Sequence, residues 1–205
     1  MSSLEARMSM AQRWDVLREY SRISGTAEIA RRYLVMNAFD GVLTIIGVLM
    51  GNYMAGVRDV AIVINTGLTT SVAMGVSGLW GAYLTESAER ERDLAELEKN
   101  TLSNLKNTKI GRASRWAVVI VALVDGLAPL AAALLVMIPL FLSRLIGSVE
   151  VSYLLSLVLS LITLFGLGVF LGRISKRNVV IYGLRTLIAG VVSIALGFLL
   201  GGHGG

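Results

Sequence analysis

Two aspartates stand inside otherwise apolar stretches of this 205-residue chain, Asp40 in FDGVLTIIGVLM and Asp125 in DGLAPLAAALLVM. An unpaired carboxylate in hydrocarbon costs several kcal/mol, so each needs a partner or a task. A hard divalent cation or a proton would be such a task, because a carboxylate oxygen can hold either. Met74 adds a thioether in the neighbouring apolar stretch. Oxygen and sulfur together favour a transition ion such as Fe²⁺, Mn²⁺ or Co²⁺. Met50, Met54 and Met137 can continue a soft-ligand path, with Asn65 as a further polar point. The competing use of the aspartates is structural: hydrogen bonds from Asn37, Thr44 or Asn65 that lock helices together.

A second acidic group lies outside the apolar stretches. Glu86, Glu89, Asp93 and Glu96 step by three, four and three residues, which places four carboxylates on one helical face. A hard divalent cation can bind there. Arg90, Arg92 and Lys99 balance the acids, so a solvated helix uses the same residues equally well.

The elements that must position these groups are apolar runs at 33–54, 60–84, 116–142, 151–171 and 179–200. Each reaches the roughly 20 residues that cross a hydrocarbon core of about 30 Å. The expected fold is therefore all-α: a polytopic membrane protein with five transmembrane helices. Six Lys and Arg precede the first span, seven lie between the second and third, and three between the fourth and fifth, while the alternate connections carry only Arg58 and Arg144. This asymmetry puts the amino terminus in the cytoplasm and the GGHGG tail on the far side. Spans one and three then run in parallel, with both aspartates about 10–14 Å below the cytoplasmic boundary. Met74, on antiparallel span two, lies at about 15 Å by the same rise per residue, so the three are expected to share a site.

Residues 1–32 read as a cytoplasmic segment in which Leu4, Met8, Ala11, Trp14 and Leu17 line one face of an interfacial amphipathic helix. Ser24-Gly25-Thr26 ends it, and Thr26 is expected to cap the helix of span one. Residues 33–205 form one membrane domain, with the acidic connection 85–115 extending span two as far as Asn104 or Asn107. Gly47 and Gly51, Gly67, Ser71 and Gly75, Gly168 and Gly172, and the seven-residue series Gly183, Gly190 and Gly197 read as close-packing faces. Pro129 and Pro139 interrupt span three and can free carbonyls near Asp125.

Composition excludes most other classes. With 55% hydrophobic and 16% charged residues, the chain is not a soluble globular protein. Its net charge of +5 reflects membrane orientation and anionic headgroups, and no nucleic-acid partner follows from it. The absence of cysteine removes thiolate ligands and thiol nucleophiles. No phosphate loop or hydrolase pattern is present, and the lone His203 sits in a glycine tail, so neither an ATP-driven pump nor an enzyme is expected, nor a resident cofactor. About 32 mostly polar residues precede the first span, so no cleaved signal peptide is expected.

FDGVLTIIGVLMG in span one, YLTESAERE at the exit of span two, the run Gly126-Leu127-Ala128-Pro129-Leu130, and LFGLGVFLGRISKRNVVIYGLRTLIAGVVSIALGFLLG at the end resemble the vacuolar iron transporter (VIT/CCC) family of five-span divalent metal carriers. The resemblance covers most of the chain from about Phe39 onward. It implies a homodimer that moves Fe²⁺ or Mn²⁺ out of the cytosol in exchange for protons, with Asp40 as a metal and proton ligand. The membrane would be the plasma membrane in a prokaryote and a vacuolar-type membrane otherwise. The family's Gly-Glu pair in span two reads Gly81-Ala82 here, and Gly78 stands at the family methionine, with Met74 one turn before it. The long glutamate-rich cytoplasmic domain of the family's iron carriers is reduced to about 30 residues. Asp125 is expected to supply the charge missing at Ala82, an inference from the residues and not from the family pattern. Dimerisation is expected through Gly47 and Gly51. The alternative is a non-transporting membrane protein whose acidic cytoplasmic helix binds metal or a partner.

Overall fold

The computed structural model describes residues 10–201, without the side chains of 10–14 and 17. Leu4, Met8 and His203, and the side chains of Ala11, Trp14 and Leu17, lie outside the described residues. Among the described residues eight helices follow one another: α1 Met10–Ser24, α2 Thr26–Met54, α3 Val60–Thr101, α4 Lys109–Val136, α5 Ile138–Phe141, α6 Ser143–Ile146, α7 Val149–Ile174 and α8 Val179–Gly201. Five of them (α2, α3, α4, α7 and α8) are long and apolar enough to cross a membrane. The architecture is that of an all-α, five-span membrane protein.

The helix ends follow local chemistry. Asp59 Oδ1 accepts from the Ala61 N–H at 2.9 Å to open α3. Asn178 Oδ1 accepts from Val180 N and Ile181 N at 3.0 and 3.3 Å to open α8. Both satisfy amides that have no partner in the first helical turn. Thr26 differs from expectation. Gly25, in the left-handed region at φ 65°, takes the cap position, and the Thr26 hydroxyl pairs instead with Ser24 Oγ at 2.5 Å. Helix α3 stops at Thr101, before either asparagine, because Leu102 turns left-handed at φ 51°.

The third span departs most from the sequence reading. Helix α4 runs through Pro129 unbroken, and the break comes after Val136. Pro139 has no N–H to give the Leu135 carbonyl, and its ring crowds that carbonyl, so the chain restarts as the short helix α5. The stretch 116–142 is thus one long helix followed by short turns.

The described chain divides into two compact units, one formed by residues up to 33 with 78–125, the other by 34–77 with 126 onward. In the second unit, Val42, Ile45, Ile46, Leu49 and Met50 of α2 pack with Ala132, Ala133 and Val136 of α4, together with Tyr153 and Leu164 of α7. The expected small-residue stripe of α8 is filled: a Cβ at Gly183 would meet Phe165 at 2.6 Å, one at Gly190 Leu164 at 2.5 Å, and one at Gly197 Met50 at 2.7 Å. Thr186 Oγ1 donates to the Leu164 carbonyl at 2.8 Å and ties α8 to α7. At one end of the unit the Tyr153 hydroxyl donates to the Val57 carbonyl at 3.1 Å, Tyr53 meets Tyr153 edge to face at 5.4 Å, and Arg58 pairs with Glu150 at 3.3 Å.

In the first unit, Ala113, Ala117, Val118, Val121 and Ala122 bury one face of α4. Lys109 donates to Glu19 at 2.8 Å and fastens α1 to the start of that helix. That hydrogen bond, and then the charge of the ammonium, hold the exposed Glu19 carboxyl below its usual range.

The glycine of each Asp-Gly pair in the spans sits where another backbone comes close. A Cβ at Gly41 would lie 2.6 Å from the Pro129 carbonyl oxygen and 2.7 Å from its Cα. The Gly126 carbonyl oxygen lies 2.9 Å from the Cβ position of Gly75. Close approach of this kind is what holds membrane helices together where lipid supplies no hydrophobic drive between them. Gly41→Ala must therefore push backbone apart and should cost about 1–3 kcal/mol. Gly166→Ala, whose Cβ would enter open space, should be neutral or stabilising. Thermal unfolding of the two variants in detergent checks the contrast.

Candidate functional site

Asp40 lies on α2 in the second unit and is exposed within the single chain. Gly47 and Gly51, seven and eleven residues on, share its face of the helix. They too are exposed, with no atom within 4 Å of the position a Cβ would take. The small-residue face expected on span one is present, and among the described residues nothing packs on Gly47 or Gly51. Beside it a groove of about 560 Å³ runs between α2 and α8, lined by Gly47, Gly51, Met54 and Ser193 among others.

The methionines divide. Met50 and Met137 are fully buried and fill the spaces that Gly197 and Gly67 leave. Their thioethers serve packing, the use to which membrane and soluble cores alike put this flexible side chain. Met54 packs against Gly201 and lines the groove. Met74 is half-buried, one residue before the close approach at Gly75. Asn65 is exposed on α3.

Asp125 belongs to the first unit and is buried at 7% exposure. A Cβ at Gly78 would lie 3.0 Å from both its carbonyl oxygen and its Oδ2. Pro129, four residues on, has no N–H to offer that carbonyl, so the proline acts on Asp125 without ending the helix. Gly78, Ala82 and Glu86 are spaced by four and share one face of α3. Ala82 and Glu86 are both buried. The face of α3 that carries Ala82 is thus the face against which Asp125 packs, and Tyr33 lies within electrostatic reach of Asp125, Glu86 and Glu89.

The acidic face of α3 does not act as one group. Glu86 is buried and pairs with Arg90 at 3.3 Å, whereas Glu89, Asp93 and Glu96 are exposed. The four span about 15 Å of helix axis, too far for one ion. Among the described residues no three His, Asp or Glu side chains gather closely enough to hold a metal. Asp93 instead meets Arg92 at 3.6 Å.

Arg90 is the residue that sequence spacing undervalued. Besides Glu86, it donates through Nη1 to the Ser24 carbonyl at 3.0 Å, which joins α3 to the α1–α2 junction. The four-residue step to Glu86 was visible in the sequence. The contact with Ser24, 66 positions away, was not.

Five apolar spans with acidic residues inside them define a multi-pass membrane protein built to handle ions. The sequence model of the VIT family matches residues 31–112, which include Asp40, Met74 and the acidic helix. An uncharacterised protein of Methanocaldococcus jannaschii is 32% identical over 172 residues, covering 82% of this chain and 86% of the relative. The chain belongs to the VIT family, a family of membrane metal-ion transporters.

Removing Arg90 strands the Glu86 carboxylate in a buried position. Arg90→Met should destabilise the protein by about 3 kcal/mol. The double variant Glu86→Gln/Arg90→Met should recover part of that loss, because no unpaired charge remains. Unfolding midpoints of the two singles and the double measure the coupling.

Proposed function

We propose that this protein is a homodimeric carrier that moves Fe²⁺ or Mn²⁺ out of the cytosol in exchange for protons, its amino terminus on the cytosolic side. The observation that carries the reading is the exposure of Asp40 on an uncovered small-residue face of an apolar helix. Lipid cannot solvate that carboxylate. A second copy laid on the same face by a two-fold axis covers it and brings two carboxylates to one place. Like charges at close quarters in low dielectric cannot both ionise, so one holds a proton until a cation replaces it. Exchange of metal for proton follows from that competition.

Asp125 supplies the negative charge that Ala82 withholds from the same face of α3. Met74 contributes the thioether that favours a transition ion, with Met54 and Asn65 as weaker points along the path. The exposed Glu89, Asp93 and Glu96 concentrate cations at the entrance. They also support the second reading, a membrane protein whose acidic helix binds metal or a partner without transport.

Flux into proteoliposomes separates the two. Wild-type protein should carry Mn²⁺ and Fe²⁺ into vesicles with an acidic lumen and alkalinise that lumen in step with metal uptake. Asp40→Asn should fall to background while retaining the wild-type unfolding midpoint. Asp125→Asn should lose most of the flux, and Glu89→Gln/Asp93→Asn/Glu96→Gln should raise the apparent KM with little change in maximal rate. Metal binding in solution by a wild-type protein that moves neither ion would select the second reading.

A further inference from the structure

We propose that a cavity in the first unit binds the headgroup phosphate of an anionic phospholipid. The cavity holds about 700 Å³ between the polar half of α3 and the first turns of α4. Its lining is part apolar, with buried Val118 and exposed Tyr83 and Val119, and part basic, with Arg90, Lys106 and Arg115. An amphiphilic lining of this kind matches a molecule with one charged end and one apolar end.

Two cations of the lining are free of carboxylates, although Arg115 Nη1 donates to the Lys106 carbonyl at 3.2 Å. Among the described residues, neither Lys106 nor Arg115 takes part in an ion pair. Two acids share the lining, Glu91 and Glu98, the second accepting from the Leu105 N–H at 2.7 Å, against the three cations. Arg90 gives Nε to Glu86 and Nη1 to Ser24, while its Nη2 is buried with no acceptor. That enclosed Nη2 keeps the Arg90 guanidinium fixed beside the cavity as a positive charge, with Lys106 and Arg115 as the cations open to a ligand. Guanidinium and ammonium groups gathered in this way are the usual recognition chemistry for phosphate.

The level of the cavity selects a lipid over a soluble phosphate. Helix α3 changes from apolar to charged after Leu84, and the exposed pair Trp80 and Tyr83, 6.2 Å apart, stands at that boundary. Aromatic rings of this type settle at headgroup depth. On α4, Leu123 continues the exposed apolar surface one turn beyond Val119. A phosphate on the basic part of the lining therefore leaves its acyl chains running along Tyr83, Trp80, Val119 and Leu123.

Native mass spectrometry of the full chain, titrated with phosphatidylglycerol, phosphatidylcholine or inorganic phosphate, tests the site. Phosphatidylglycerol should bind one per chain, and Lys106→Gln/Arg115→Gln should weaken it about ten-fold or more. Arg92→Gln/Lys99→Gln removes equal charge from the exposed stretch of α3 and should leave binding unchanged. Val119→Trp adds bulk to the apolar part of the lining without touching charge and should also weaken binding, which keeps the test decisive if the double charge variant does not fold. Equal binding of phosphatidylcholine would reduce the cavity to an apolar groove. Displacement of the lipid by equimolar phosphate would make it a soluble-anion site. Equal loss in the Arg92/Lys99 control would leave only diffuse surface charge, and each of these three results overturns the proposal.

Discussion

A carboxylate on the bare face of an apolar helix cannot stay facing lipid, and that constraint organises what can be said of function. Asp40 occupies such a face on α2, and the residues that share it are glycines with open space before them. Elsewhere in the second unit several small residues are filled by neighbours, Gly41 by Pro129, Gly67 by Met137, and the α8 series by α7 and α2, whereas Gly166 of α7 is open too. The contrast is informative because the same residue type serves two ends. Where a helix of the same chain already sits on the glycines, they are packing. On α2 none does, and there the open glycines lie on the face of a carboxylate that lipid cannot solvate.

The two Asp-Gly pairs show how local chemistry and packing are coupled. At the first, Gly41 admits the Pro129 backbone, so Asp40 stands next to a close helix crossing; at the second, the Gly126 carbonyl fits where Gly75 has no side chain. Such a crossing suits a ligand, since a group that is to exchange a proton for an ion must not relax away when its charge changes. At Asp125 both the main-chain carbonyl and the carboxylate Oδ2 lie close to Gly78. Oxygen atoms of two kinds thereby converge on one face of α3.

Much of this was legible in the sequence, and the limits have physical causes. Hydropathy placed all five spans, because a run of some 20 apolar residues has no other stable use. It overran span three because Met137 and Leu142 are apolar whether or not Pro139 lets the helix continue. Periodicity grouped Glu86 with Glu89, Asp93 and Glu96, yet only Glu86 is buried, since the helices packed on α3 cover its inner edge alone. Counting methionines as ligands failed to separate Met50 and Met137, which fill glycine spaces, from Met54 and Met74, which are partly open. Contacts distant in sequence, such as Arg90 with Ser24, leave no periodic trace at all.

The covering of Asp40 by a second copy is open to direct measurement, because the chain contains no cysteine and any introduced thiol stands alone. Single cysteines at Gly47, at Gly51 and, as a control, at Gly166 can be oxidised in native-like bilayers and the products resolved by mass. Disulfide-linked dimer from positions 47 and 51, with none from 166, is the expected result. Protein that stays monomeric at both positions while still carrying Mn²⁺ would contradict it.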